Sequence, residues 1–123
     1  MRPKVVAAAS VAALAGCAWF AASQVPVHRD GGVFVDEKGM TLYTYDRDAK
    51  GKSACNAQCA ANWPPLLAAA GAKPAGDYTI VVRDDGRSQW AYKGKPLYLW
   101  VKDQKPGERT GDGVNNVWRV ALP

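Results

Sequence analysis

A chain of 123 residues with 16 basic and 11 acidic side chains has room for one small domain and not for two. Its net charge of +5 is interspersed with acids throughout, which excludes the contiguous basic stripe of a nucleic-acid binder. The single histidine, His28, lies outside the predicted domain, which excludes a histidine-based catalytic triad.

Arg2 and Lys4 precede an unbroken small-apolar run over residues 5–14, the charged head and hydrophobic core of an export signal. Apolar residues 5–22 fall just short of the roughly 20 needed to span a bilayer, so a retained signal anchor is the second reading. The run ends in "LAGC", residues 14–17, which resembles a bacterial lipobox, with Ala15 and Gly16 small enough for a narrow peptidase cleft. The rival is ordinary cleavage near "AAS", residues 21–23. Cysteine arithmetic favours the lipobox. Of three cysteines, Cys55 and Cys59 share one short segment and leave Cys17 unpaired, and an odd cysteine in an exported chain needs an explanation. Residues 1–16 are therefore read as the signal, Cys17 as the lipidated residue, and 17–31, with Pro26, Gly31 and Gly32 nearby, as its start and tether. The expected location is the bacterial cell envelope, on the periplasmic side or the surface, with a secreted soluble form as the alternative.

The domain is expected over residues 32–123. "GVFVDEKGMTLYTYD" reads as a hairpin turning near residues 37–39. "SACNAQCAANW", residues 53–63, has no β-branched residue and reads as one or two helical turns capped by Ser53. Pro64 ends it, and "LLAAAGAKPAGD" follows as a short apolar turn of helix and a loop. Residues 77–83 form a β-branched strand, "DDG" a hairpin turn, "RSQWAY" the returning strand, and "KPLYLWVK" a third strand after the Lys93-Gly94 turn. "NNVWRVAL", residues 115–122, closes the sheet.

Two stretches of this chain match. "TLYTYDRD", residues 41–48, and "PLYLWVKD", residues 96–103, align Leu42 with Leu97, Tyr43 with Tyr98, Tyr45 with Trp100 and Asp48 with Asp103. Lys38 with Lys93, Gly39 with Gly94 and Trp63 with Trp118 keep the same separation of 55 positions. This is a tandem duplication, with units over about 32–76 and 77–123. The predicted fold is mainly β: a small pseudo-symmetric antiparallel domain of two tandem repeats with about six short strands and a short disulfide-bearing helical insert. With "NWPPLL", "GRSQWAYKGKPLYLW" and the late "GDG", these motifs resemble the bacterial secreted-repeat family, predicted lipoproteins with a Tyr-x-(Phe/Trp/Tyr)-x-x-Asp motif. The resemblance spans nearly all of residues 32–123 and implies an exported or lipid-anchored envelope protein. It implies no particular activity.

Strand alternation puts Tyr43 and Tyr45 on one face and Leu42 and Thr44 on the other, as it does Tyr98 and Trp100 against Leu97 and Leu99. Two readings follow. Tyr43, Tyr45, Tyr98 and Trp100 fill a core between the halves while Asp48 and Asp103 bind turn amides, or the six line a ligand cleft on the pseudo-twofold axis. The core reading is preferred. A carboxylate pair of Asp48 and Asp103 is the minority, enzymatic variant; no catalytic residue, metal site or cofactor is predicted. Cys55 and Cys59 are read as a structural disulfide. Their alternatives are a copper(I) site aided by His28 or Met40, or a thiol redox couple. The function class is a non-catalytic binding or structural module, with a membrane contact through the lipid and an envelope protein, glycan or small apolar ligand as partner. A redox or copper-handling accessory is the alternative.

Overall fold

The structure, a computed structural model, describes residues 25–123; the expected signal and Cys17 lie outside the described residues. Its strands are β1 (His28–Asp30), β2 (Val33–Val35), β3 (Tyr43–Tyr45), β4 (Tyr78–Val82), β5 (Ser88–Tyr92), β6 (Lys95–Pro96) and β7 (Trp118–Val120), with one helical turn, α1 (Gln58–Asn62). All strand pairs are antiparallel: β1 with β2, β3 with β7, β4 with β5, and β5 with β6. The mainly β, two-repeat architecture is the one expected.

The strands are short because three segments meet in a closed knot at each of two places. The Phe34 N–H donates to Ala121 C=O at 3.0 Å, Ala121 N–H to Leu42 C=O at 2.8 Å, and Leu42 N–H to Phe34 C=O at 3.0 Å. The second knot repeats it: Trp90 to Leu66 at 2.8 Å, Leu66 to Leu97 at 2.9 Å, and Leu97 to Trp90 at 3.0 Å. Three strands meeting in a cycle satisfy one another's buried backbone groups, yet they cannot run on side by side as a flat ladder. The same six residues, Phe34, Leu42, Leu66, Trp90, Leu97 and Ala121, form one hydrophobic cluster. Burying each large member contributes about 1.5–3 kcal/mol.

In both knots the third strand comes from the other repeat. The two twice-written phrases meet at their equivalent tyrosines, where Tyr43 N–H donates to Tyr98 C=O at 2.8 Å and Tyr98 N–H to Tyr43 C=O at 2.9 Å. On the far side of Tyr43 runs β7, pairing Tyr43 with Val120. On the far side of Tyr98 stands Pro65, the counterpart of Val120. The repeats are therefore interleaved rather than stacked side by side.

Several local expectations change. Part of the stretch read as tether is strand β1, joined to β2 through Gly31 and Gly32, both at positive φ (61° and 84°). All three β1 residues are exposed, so no hydrophobic pattern announces it. Ser53 caps no helix. The α1 N-cap is Ala57, without a side-chain cap bond, and Ser53 is buried. The apolar stretch after Pro64 is extended, not helical, because Pro65 bridges Tyr98 and Leu67 bridges Gln89. Of "KPLYLWVK" only β6 continues the hairpin as regular strand, since Tyr98 leaves it to pair with Tyr43. The second repeat carries a short 3-10 turn, Val114–Asn116, just before Trp118, where the first carries α1 before Trp63.

Candidate functional site

The repeated Tyr and Asp residues lock the two halves by exchange. Tyr43 O–H donates to Asp103 Oδ2 at 2.6 Å, and Tyr98 O–H donates to Asp48 Oδ2 at 2.7 Å, so each repeat's tyrosine binds the other repeat's aspartate. Each remaining carboxylate oxygen takes a loop amide: Ala54 N–H on Asp48 Oδ1 at 2.7 Å, and Thr110 N–H on Asp103 Oδ1 at 3.0 Å. The Thr110 hydroxyl adds a second donor to Asp103. Both tyrosines are fully buried. Burial first, and then the carboxylate each phenol faces, push both phenols well above the ordinary tyrosine value. Burial likewise raises Asp48, against the opposing pull of Ala54 and Tyr98.

Around these bonds the aromatic rings form one column. Tyr45 stacks on Trp118 with centroids 4.2 Å apart, Trp118 on Trp63 at 3.8 Å, and Trp63 on Trp100 at 3.9 Å. Tyr43 meets Trp63 edge-on at 5.3 Å, and Tyr98 meets Trp118 edge-on at 5.2 Å. Ring faces interleave in the order first, second, first, second repeat. Gly111 lets the column close, for a Cβ there would stand 2.8 Å from Trp63 and 2.9 Å from Tyr43. The Gly111 N–H also donates to Tyr43 Oη at 3.1 Å.

Of the six candidate residues, Tyr43, Tyr98 and Asp103 are buried, while Tyr45, Trp100 and Asp48 are half-buried. All four rings sit in one contiguous cluster and both acids bond turn amides.

A polar network across the two repeats was absent from the sequence reading. Arg83 is buried, yet its guanidinium donates to Ser53 Oγ at 3.1 Å, Gln89 Oε1 at 2.9 Å, Cys55 C=O at 2.9 Å and Asp85 Oδ2 at 3.1 Å. Ser53 in turn lies 2.7 Å from Tyr98 Oη, so the network joins β4 to the Tyr98–Asp48 bond. Arg87, more than Arg83, holds the Asp85 carboxyl well below the usual range. The signal was present: the period-two alternation of β4, carried one residue past its end, puts Arg83 on the inward face with Val81. Cys55 and Cys59 form a disulfide that ties the loop bonded by Arg83 to α1. An oxidised pair offers no thiolate, so the copper(I) reading loses its soft ligands.

Beside the lock lies an open cleft of about 390 Å³ lined by Thr44, Tyr45, Asp48, Lys50, Lys93 and Lys95, among others. Sequence reading singled out none of its lysines as site residues, since hairpin lysines look like a solvated surface.

Fold and lock together define a class: a small β protein of two repeats that exchange strands, ring faces and tyrosine–aspartate bonds. A family described as a secreted repeat of unknown function matches the chain twice, over residues 26–67 and 79–122. The chain belongs to that family. The first match begins ahead of Gly32 and takes in β1. No curated protein and no solved structure matches the chain. The family's description as secreted fits an envelope or extracellular location.

Proposed function

We propose that the protein is exported, lipid-anchored through Cys17, and serves the bacterial cell envelope as a non-catalytic binding or structural module. The observation behind it is the closed state of the repeated motif. Every oxygen of Asp48 and Asp103 holds a donor, and each of Tyr43 and Tyr98 spends its hydroxyl on the opposite repeat. A general acid or base needs a free carboxyl or phenol within reach of substrate; Tyr43, Tyr98 and Asp103 are buried, and Asp48, which borders the cleft, has both oxygens engaged. The motif therefore builds a rigid scaffold, and recognition falls to its surface. For the anchor, "LAGC" ends the apolar run and Cys17 is left unpaired once Cys55 bonds Cys59.

The test is labelled palmitate uptake in a bacterial host, followed by detergent phase partitioning. Label should enter the wild-type chain and be lost in Cys17→Ser. Equal labelling of that variant, or a mature N-terminus at Gln24, would reject the anchor.

A further inference from the structure

We infer that the lysine-lined cleft beside the lock is a binding groove for a linear acidic glycan, its negative groups carboxylates or phosphodiesters. This deepens the binding-module reading above and rests on it. The cleft is no isolated dent. A depression of about 580 Å³ shares Lys50, Lys93 and Gly94 with it, and one of about 200 Å³ shares Thr44, Asp46 and Lys95. The three are neighbours that share walls, with residues of β3 and β6 and of the turn before β6 between them. An elongated, open recess suits a chain better than a compact metabolite, which prefers an enclosed pocket.

The charges in the groove favour an anion. Lys50, Lys93 and Lys95 line the central cleft, while Arg119 at the far end is paired with Asp46 and adds no net charge. The acids present are largely spoken for. Asp46 pairs with Arg119 at 3.0 Å, and Asp48 holds Ala54 N–H and the Tyr98 hydroxyl. Asp77, in the outer depression, is the remaining acid. Like charges gathered round a concavity repel one another and focus a positive potential into it. Tyr45 supplies the aromatic wall: one face is stacked on Trp118, yet the ring is half-exposed and lines the cleft. Such a surface suits the C–H face of a sugar ring.

Backbone conformation gives an independent pointer. The turn between β5 and β6 places Lys93 at φ 50° and Gly94 at φ 84°. Asn or Gly is the residue such a two-residue turn favours at its first position, and a lysine there is held in a strained, left-handed conformation. Gly94 is required for a different reason. A Cβ on it would lie 2.5 Å from Lys50 Cγ, so its absence lets the Lys50 stem cross the turn and brings two of the lysines together. The Lys93 ammonium also lies 5.3 Å from the Tyr92 ring centre, a contact that steadies the side chain without neutralising it.

The experiment is calorimetric titration of the exported protein at low and moderate salt. Its probes are oligogalacturonate, an oligomer of hexoses joined by phosphodiesters, a neutral galactose oligomer, and inorganic polyphosphate as a sugarless anion. At least one acidic glycan should bind, and more weakly as salt rises; which one separates carboxylate from phosphodiester recognition. Lys93→Asn relieves the turn, so it should melt no lower than wild type while binding roughly ten-fold more weakly. Lys38→Asn, at the equivalent position of the other repeat, should bind as wild type does. Three results overturn the inference: no acidic glycan binds, polyphosphate binds as tightly as the glycans, or Lys38→Asn weakens binding as much as Lys93→Asn. Amide shifts that map glycan binding elsewhere overturn the groove alone and leave the binding-module reading standing. The palmitate result bears on the anchor and not on this groove.

Discussion

Removing one hydroxyl from the exchanged lock is the sharpest probe of what the doubled phrase does. Tyr43→Phe keeps the ring, its edge contact with Trp63 and its burial, and deletes only the oxygen. That oxygen donates to Asp103 Oδ2 at 2.6 Å and accepts from Gly111 N–H at 3.1 Å. A hydrogen bond to a charged group contributes about 1.5–3 kcal/mol, and a buried donor left without a partner costs about 1–3 kcal/mol. The two losses share one atom and partly overlap, so a net destabilisation of about 3 kcal/mol is expected. At roughly 4–8 °C per kcal/mol for a domain of this size, the melting midpoint should fall by roughly 12–24 °C. Urea unfolding followed by tryptophan fluorescence reads the free energy, and scanning calorimetry the midpoint. Adding Asp103→Asn closes a double-mutant cycle in which the coupling should be about 1–2 kcal/mol. Tyr98→Phe should behave alike, because Tyr98 holds Asp48 in the same manner. A loss below about 0.5 kcal/mol in both variants, the range of ordinary surface changes, would refute the lock.

Other perturbations test the surroundings. Gly111→Ala forces a methyl between Trp63 and Tyr43 and should cost about 1–3 kcal/mol by overpacking, read from urea melts. Arg83→Met strands the acceptors on Gln89 and Cys55 and should cost about 2–4 kcal/mol, with exchange protection lost first in the 53–59 loop. Reducing the Cys55–Cys59 bond reopens a very short loop, and the chain-entropy model puts the loss at about 2 kcal/mol; melts with and without reductant measure it. Asp48 tests pH linkage. Its carboxyl is raised by burial, so the folded state binds its proton more readily than the unfolded one. The contribution of Asp48 to stability therefore grows as pH falls through the carboxylate range and is lost as pH rises through it. Asp48→Asn mimics the protonated form, so any advantage of the variant over wild type should shrink between neutral pH and pH of about 4. A gap that widens on acidification would contradict the burial assignment.

Much of this architecture could be read from residue spacing, because large aromatics at a constant separation are hard to place by accident. The separation establishes equivalence between Tyr43 and Tyr98, and it is silent on partnership. Tyr43 bonding its own Asp48 and Tyr43 bonding Asp103 give the same sequence pattern, and only the interleaved backbone selects the second. The separation also hides a slip. Phe34 and Trp90 occupy equivalent places in the two backbone knots, yet they stand one position out of register because the first hairpin turn is longer. The misplaced helix over the alanine-rich stretch has a definite cause: local propensity favours helix, and pairing with Tyr98 and Gln89 overrides it. Arg83 was hidden by habit, since a charged residue at a strand end is ordinarily solvated. The groove was hidden by chain distance, for Lys50 and Lys93 come together only through the Gly94 turn.

Interleaving also explains why the phrase is written twice in full. In a side-by-side duplication each half satisfies its own polar groups, and either copy can drift alone. Here Asp48 is placed for a tyrosine in the other half, Trp63 for the face of Trp100, and the Leu66 N–H for the Leu97 carbonyl. Losing one copy's residue orphans a buried group in the opposite copy, and an orphaned polar group in a dry interior is expensive. The central groups are thus held in matched pairs, while the turns outside that circuit carry no such constraint. One turn became a disulfide-bearing helical insert and its counterpart a polar loop; one hairpin acquired Lys93 and Lys95, where the other has Lys38 and Met40. Symmetry in the lock and asymmetry at the rim are two results of one arrangement.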